Sequence, residues 1–159
     1  SPVHIPADTW WELEHRLAVT CIGKPHSSSE IHEKVIAGLG EHAHADTRLQ
    51  RLRELAREAK DAMAAGDFAQ LGRVMNENTG VQRALHRDLV CDQFEEIIAI
   101  AHDFDVLGCK VNGAGGDGGS ITILTDGDMS KKRRLSRILG ERDFHSLPIH
   151  LCRDGLRVW

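Results

Sequence analysis

The clearest chemical signal in the sequence is one glycine-rich segment, NGAGGDGGS, at positions 112–120. Five of the seven residues from Gly113 to Gly119 are glycine. Such a run has a high conformational-entropy cost unless the backbone needs positive φ angles or a close approach to another group. Its N–H groups can converge on an anion such as phosphate. Because an ordinary hairpin needs only one or two glycines, we favour contact with phosphate or substrate over a mobile hairpin.

The same segment matches the dinucleotide-binding pattern G-x-G-x-x-G through Gly113, Gly115 and Gly118. That pattern functions where a helix begins at the loop, within a strand-helix-strand unit. Here the loop is followed by SITILT, an alternating pattern typical of a strand. The sequence therefore argues against a dinucleotide fold.

Strand patterns flank the glycine-rich segment and recur near both ends of the chain. Leu107, Cys109 and Val111 alternate before it, and SITILT resumes after it. A strand is also predicted over Leu13 to Ile22, and another in LPIHLC, with GLRVW as a further edge strand.

Helical patterns fill the intervals between these strands. A capping box of Ser27 and Glu30 predicts one helix, and Asp46 or Thr47 begins a second that Gly66 ends. Further helices are predicted from Asp67, from Asp92 with Glu95 to about Phe104, and in MSKKRRLSRILGER. Two strands joined directly by a loop, with helices elsewhere, favour an antiparallel sheet with helices on one face. We expect an α+β ferredoxin-like sandwich, as one domain over residues 1–159.

Composition limits the classes of partner. Lys and Arg number 20 against 24 Asp and Glu, so the net charge of -4 offers no attraction to nucleic acid or anionic membranes. Aromatic residues are 4% of the chain, and no apolar run approaches the roughly 18 residues of a membrane span. The four cysteines form no C-x-x-C pair, which favours a reducing compartment. We expect a cytoplasmic protein with neither a nucleic-acid nor a membrane partner.

Three segments together resemble one protein family. KVNGAGGDGGSITIL, residues 110–124, is similar to the third motif of the galactokinase, homoserine kinase, mevalonate kinase and phosphomevalonate kinase superfamily (GHMP kinases). GDFAQLGRVMNEN, residues 66–78, resembles the helix that leads to the acceptor in its sugar kinases. LEHRLAVTCIGKPHSSSEI resembles the start of the C-terminal lobe in the heptose-kinase and fucokinase branch.

The resemblance implies the C-terminal lobe of an ATP-dependent small-molecule kinase, with a monosaccharide or sugar phosphate as substrate. In this family the N-terminal lobe supplies most of the ATP and Mg²⁺ site and the acidic residue that activates the acceptor. Neither feature has a counterpart in this sequence, so no catalytic residue and no metal ligand is assigned here. We expect a parent polypeptide about twice as long, and an inactive isolated chain.

The resemblance also implies the site residues of this lobe. The loop that contacts phosphate or substrate is Gly113, Ala114, Gly115, Gly116, Asp117, Gly118 and Gly119. The candidates for acceptor binding are Asn76, Glu77, Asn78 and Ser28.

Two of these positions leave alternatives open. Asp117 stands where the family has glycine; it is a Mg²⁺ ligand, an acceptor-orienting group or, as we favour, a turn residue. Asn78 interrupts an apolar stripe and must be hydrogen-bonded, so it either braces the loop or reaches acceptor hydroxyls. The rival interpretation of the whole chain is a non-catalytic ligand-binding or dimerisation module, because ferredoxin-like sandwiches serve many functions.

Overall fold

The structure is a computed structural model that describes residues 4–23, 28–39, 45–116 and 118–153. Within these ranges six helices and four strands alternate irregularly along the chain. The helices are α1 (Ala7–Arg16), α2 (Ser28–Leu39), α3 (Thr47–Ala65), α4 (Phe68–Leu85), α5 (Asp92–His102) and α6 (Met129–Gly140). The strands are β1 (Leu17–Cys21), β2 (Gly108–Val111), β3 (Ser120–Leu124) and β4 (His145–Leu147). A 3-10 turn at Arg87–Leu89 joins α4 to α5.

The four strands form one antiparallel sheet in the order β2-β3-β1-β4. Strands β2 and β3 are neighbours joined directly by the glycine loop, residues 113–119. In their register Cys109 lies opposite Ile123, and Lys110 opposite Thr122. The α+β class and the antiparallel sheet predicted from the sequence are confirmed.

The main core lies between one face of this sheet and three helices. The sheet contributes Cys109, Val111, Ile121 and Ile123, each at most 1% exposed. Helices α2, α5 and α6 cover them with the apolar residues Ile31, Phe94, Ile97, Ala101, Leu135 and Leu139. Because side chains alternate along a strand, the neighbours Lys110 and Thr122 point to the opposite face. We call that side the open face of the sheet.

A smaller apolar cluster closes one end of the open face. Leu124 of β3 packs there with Leu13 of α1, Ala62 of α3 and two residues of α4, Leu71 and Met75. This cluster attaches the antiparallel pair α3 and α4 to the sheet. The middle of the open face, where Val19, Lys110 and Thr122 lie, stays partly exposed.

Helix α4 lies directly against the outer edge of β2, backbone to backbone. A Cβ atom added at Gly72 would clash with the Leu107 carbonyl, and one at Gly108 would clash with the Gly72 carbonyl. Such a contact is open only to glycine on both elements. It brings α4 close enough for its side chains to reach the unpaired backbone groups of an edge strand.

Several boundaries differ from the prediction. The strand predicted over Leu13 to Ile22 is wrong in its first part, because Leu13 belongs to α1 and packs in the smaller cluster. The pair Asp92 and Glu95 does not cap α5: the N-cap is Cys91 without a side-chain bond, and Glu95 binds Arg83.

The end of the chain differs as well. The strand predicted in LPIHLC is displaced toward the N-terminus, since β4 is His145–Leu147 and residues 148–153 form no regular structure. The predicted strand GLRVW and the cap Ser27 lie outside the described residues. No helix within the described ranges combines the length and apolar character needed to cross a bilayer.

Substitution of Gly72 tests the contact between α4 and β2. Gly72→Ala places a methyl group in steric clash with the Leu107 carbonyl oxygen. It should reduce the free energy of unfolding by about 3 kcal/mol or more. Gly80→Ala in the same helix is the matched control, because a Cβ there meets nothing within 4 Å. It should stabilise the protein by about 1 kcal/mol through helix propensity. Chemical denaturation of both variants measures the difference; equal stabilities would contradict the close contact.

Candidate functional site

The glycine loop is fixed to the sheet at both of its ends. The Asn112 backbone N–H donates to Ser120 O at 2.8 Å, and the Gly115 N–H donates back to Asn112 O at 3.2 Å. On the far side the Ile22 N–H, just after β1, donates to Gly119 O at 3.2 Å. The described residues of the loop therefore form a turn that backbone hydrogen bonds attach to the sheet at both ends.

Some of the loop glycines are required by packing. A Cβ at Gly115 would clash with the Leu89 carbonyl of the 3-10 turn, and one at Gly119 would meet the Gly115 carbonyl and the Phe94 ring. Ala114, directly before Gly115, is only 6% exposed and belongs to the main core. This half of the loop is glycine-rich because it is pressed onto the start of α5.

Gly113 has a different environment. Its φ of +60° favours glycine, its surface is exposed, and a Cβ built there meets nothing within 4 Å. Gly116 also has a positive φ, of 78°. Neither the strand edge nor the core fills the space beside Gly113, so this position has room for a ligand.

Three side chains of α4 hydrogen-bond to the outer edge of β2 and to the loop. Asn76 Oδ1 accepts from the Cys109 N–H at 2.8 Å, and its Nδ2 donates to Leu107 O at 3.3 Å. The Thr79 hydroxyl donates to Cys109 O at 3.0 Å and accepts from the Val111 N–H at 3.3 Å.

Gln82 lies about one turn further along α4, on the same face as Asn76 and Thr79. Its Nε2 donates to Gly113 O at 3.3 Å, so α4 directly holds the first residue of the glycine loop. Gln82 is 8% exposed, and its Oε1 atom has no hydrogen-bond partner among the described residues. A buried amide oxygen of this kind is costly unless a donor reaches it.

The four predicted acceptor-binding residues are not brought together. Asn76 faces β2 and supports its edge. Glu77 points toward α3, where Arg51 Nε donates to its Oε1 at 2.6 Å and holds the pKa of the carboxyl below its usual value. Asn78 is partly buried and makes no hydrogen bond with the described residues, and the side chain of Ser28 lies outside them.

Gln82 therefore braces the loop and Thr79 braces β2 just before it; neither was a predicted site residue. Their spacing from Asn76, at i+3 and i+6, places all three polar side chains on the helix face that contains Gly72. A small residue followed by amide and hydroxyl side chains on one face is the signal in the sequence that could have identified them.

Polar side chains of the open face lie beside the start of the loop. Thr122 Oγ1 donates to Asn112 Oδ1 at 3.0 Å, and Asn112 Nδ2 donates to Ser120 Oγ at 3.0 Å. Lys110 lies opposite Thr122 in the register, and its ammonium donates to Val111 O at 3.1 Å. Burial lowers the pKa of Lys110 from its ordinary value.

Two cysteines lie near the loop, and the buried one, Cys109, is not a nucleophile. Cys109 is 1% exposed in the main core, and burial raises the pKa of its thiol to about 12. The Cys91 thiol donates to Gly116 O at 3.4 Å, so it contacts the loop from the start of α5. At neutral pH the Cys109 thiol stays protonated and acts as a small apolar side chain.

No group of three or more His, Cys, Asp or Glu side chains in the described ranges is arranged to hold a metal ion. Asp117 lies outside those ranges. What the described residues can do chemically is present backbone N–H groups, an exposed glycine and one ammonium group to an anion.

Comparison with known proteins identifies the same segments. The family model described as "GHMP kinases C terminal" matches residues 59–139, just over half of the chain. This range runs from α3 through α4, with its residues that bond to β2, and through the glycine loop to the end of α6. No curated protein matches the sequence significantly.

Solved structures share the fold. Mevalonate kinase from L. major, solved with R-mevalonate, superposes with a TM-score of 0.71 at 20% identity, covering 89% of this chain and 41% of that one. Streptococcus pneumoniae phosphomevalonate kinase gives 0.71 at 14% identity, covering 83% and 38%. The D-glycero-D-manno-heptose 1-phosphate kinase from Bacteroides thetaiotaomicron gives 0.56 at 16% identity, covering 93% and 36%. The chain thus spans about two fifths of the length of these proteins.

Substitution of Thr79 tests whether its buried hydroxyl holds the edge of β2. Thr79→Val keeps the shape but leaves Cys109 O and the Val111 N–H unpaired, which should cost about 2 to 4 kcal/mol of unfolding free energy. Amide hydrogen exchange at Val111 should accelerate in the same variant.

Thr79→Ser is the matched control because it keeps the hydroxyl and removes only a methyl group. It should lose about 1 kcal/mol and leave exchange at Val111 protected. If the Val and Ser variants exchange at the same rate, the hydroxyl does not hold the strand edge.

Proposed function

The chain belongs to the GHMP kinase family through its C-terminal domain, and from this premise we propose that it is the lobe that positions substrate and phosphate in an ATP-dependent kinase of small molecules. The observation that carries the proposal is the glycine loop, which α4 and the 3-10 turn contact while Gly113 stays exposed and open. A turn held in place with an unobstructed backbone is what phosphoryl transfer requires of a positioning element.

The ATP and Mg²⁺ sites are proposed to lie mainly on an N-terminal lobe of the same protein. Two observations support this division: the chain spans about two fifths of its structural relatives, and its described residues form no metal-binding group. We therefore propose residues 1–159 as a single C-terminal lobe that is inactive when separated from its ATP-binding lobe.

The proposed acceptor is a hydroxyl of a sugar or a sugar phosphate. The similarity of residues 66–78 to the helix of sugar kinases supports this choice. One structural relative acts on a heptose 1-phosphate by its name, whereas others are mevalonate and phosphomevalonate kinases. A panel of monosaccharides, sugar phosphates, mevalonate and phosphomevalonate, assayed with Mg-ATP, discriminates among these acceptors.

Loop residues 113–119, with Asp117 included, are proposed to contact phosphate or acceptor. Gln82 enters the proposal as a residue that positions the loop, and Thr79 as one that positions the strand leading into it. The earlier candidate Glu77 is placed less well for this task, because its carboxylate pairs with Arg51 on the side of α4 that faces α3. Asn78 and Ser28 remain candidates for the acceptor, and Asn76 acts through the strand edge.

The native size of the polypeptide gives the first test. An antibody raised against this chain should detect, in its source cells, a protein of about twice the 17.6 kDa of this sequence. Extracts enriched in that protein should phosphorylate a member of the acceptor panel. A native mass of 17.6 kDa would instead favour a stand-alone binding module.

Substitution of Gly113 tests the loop directly in the full-length protein. Gly113→Asn fills the open space with little backbone strain, because asparagine tolerates positive φ better than other non-glycine residues. We expect kcat/KM to fall by about 100-fold or more while the fold is retained.

Gly66→Asn is the matched control, since Gly66 has a φ of +69° at the end of α3, outside the loop. Asparagine is accepted at such a helix terminus. Its kcat/KM should match that of the wild type. An unchanged kcat/KM in Gly113→Asn would remove the loop from the proposed site.

A further inference from the structure

Lys110 is a charged residue of the open face that the described contacts leave unneutralised. It lies two residues before the turn at Asn112 and Gly113, and its register partner across the sheet is Thr122. The residue is partly buried, and burial is the cause that lowers its pKa. A dehydrated ammonium group is costly unless an opposite charge lies near it.

Two lysines of α6 have such a charge. Lys131 pairs with Asp126 at 2.9 Å and with Asp105 at 3.1 Å. Lys132 is also dehydrated, and its ammonium donates to His15 O, but the carboxylate of Glu14 partly offsets the lowering of its pKa. Among the described residues Lys110 has no comparable carboxylate, and its only hydrogen bond is to the Val111 carbonyl.

That single bond leaves most of the ammonium unused. An ammonium group has three donors, and a carbonyl oxygen accepts one of them without neutralising the charge. The polar neighbours Asn112, Ser120 and Thr122 bond to one another rather than to Lys110. The open face thus holds one positive charge with spare donors beside a loop whose first glycine is exposed.

We propose that Lys110 binds an anionic phosphate oxygen of a ligand placed against the open face of the sheet. The phosphate belongs either to the nucleotide or to a phosphorylated acceptor, which share this chemistry. That the phosphate comes from a nucleotide or a phosphorylated acceptor rests on the proposed function. The binding of phosphate by Lys110 does not. Lys110 would thereby be a binding residue of the site to which the glycine loop contributes its backbone.

A binding experiment on this chain tests the proposal without any catalysis. The chain is labelled with ¹³C-lysine, and the Cε resonance of Lys110 is followed during titration with sodium tripolyphosphate, a probe for nucleotide phosphates. A parallel titration uses glycerol 3-phosphate, a probe for a phosphorylated acceptor, and sodium chloride matches the ionic strength. Lys132 serves as the internal control, because it is dehydrated but belongs to α6.

The expected result is a saturable shift of the Lys110 resonance with at least one probe, and no such shift at Lys132. The probe that binds more tightly identifies the source of the phosphate. In Lys110→Met the affinity for that probe should fall by about 10-fold or more, and Lys110→Arg should retain part of it. A Lys110 resonance that moves no more than that of Lys132 with either probe would overturn the proposal.

Kinetics of the full-length protein separate this proposal from the proposed function. Lys110→Met should raise KM for ATP if the nucleotide is the source, or KM for the acceptor if the acceptor is, and Lys132→Met should change neither. A wild-type protein without phosphotransfer would contradict the kinase proposal while the binding result still decides the role of Lys110. An active wild type with unchanged constants in Lys110→Met would overturn the role of Lys110 alone.

Discussion

The unpaired edge of β2 is the constraint on which the rest of this structure depends. An edge strand exposes N–H and C=O groups that must find partners or water. Here α4 supplies those partners: the pair Gly72 and Gly108 allows backbone contact, and Asn76 and Thr79 satisfy Leu107, Cys109 and Val111. A helix therefore takes the position that a fifth strand would otherwise occupy. The orientation of α3 and α4 follows, because α3 packs on α4.

The same arrangement explains how the described glycines of the loop are held in place. Glycine permits the backbone to approach Leu89 and Phe94 closely, and the close approach in turn restricts the loop. Gln82 and Ile22 hold its two ends. The entropy lost in ordering the glycines is thus offset by contacts with three separate elements, and Gly113 remains accessible. The loop is closely packed where it meets the core and open at Gly113, where a ligand would meet it.

Much of the fold could be predicted from the sequence because its patterns are local. Alternation gave β2 and β3, and the caps Asp46 and Asp67 fixed the starts of α3 and α4 through hydrogen bonds that the structure contains. Local patterns failed where tertiary contacts decide. Leu13 fits a strand pattern and a helix equally well, and its burial against Leu124 selects the helix. All three residues of the strand His145–Leu147 are exposed, so the apolar alternation in LPIHLC did not mark its position.

The site was predicted less completely than the fold, for a physical reason. The glycine loop is evident in any reading of the sequence, but the residues that position it are separated from it by about thirty positions and share only a helix face. Asn78 was singled out because a buried amide in an apolar stripe needs a hydrogen-bond partner. Helix α4, however, packs against the rest of the protein on two different sides.

One side of α4 packs in the small apolar cluster. The other side contacts the edge of β2, whose backbone groups need hydrogen-bond partners. On that second side polar residues are the structural solution, and Asn76, Thr79 and Gln82 supply it. At the end of β2, the Lys110 ammonium bonds Val111 O and keeps spare donors, while Gln82 donates to Gly113 O and its Oε1 has no partner among the described residues. Donor and acceptor capacity that the fold does not use is therefore found where β2 passes into the loop.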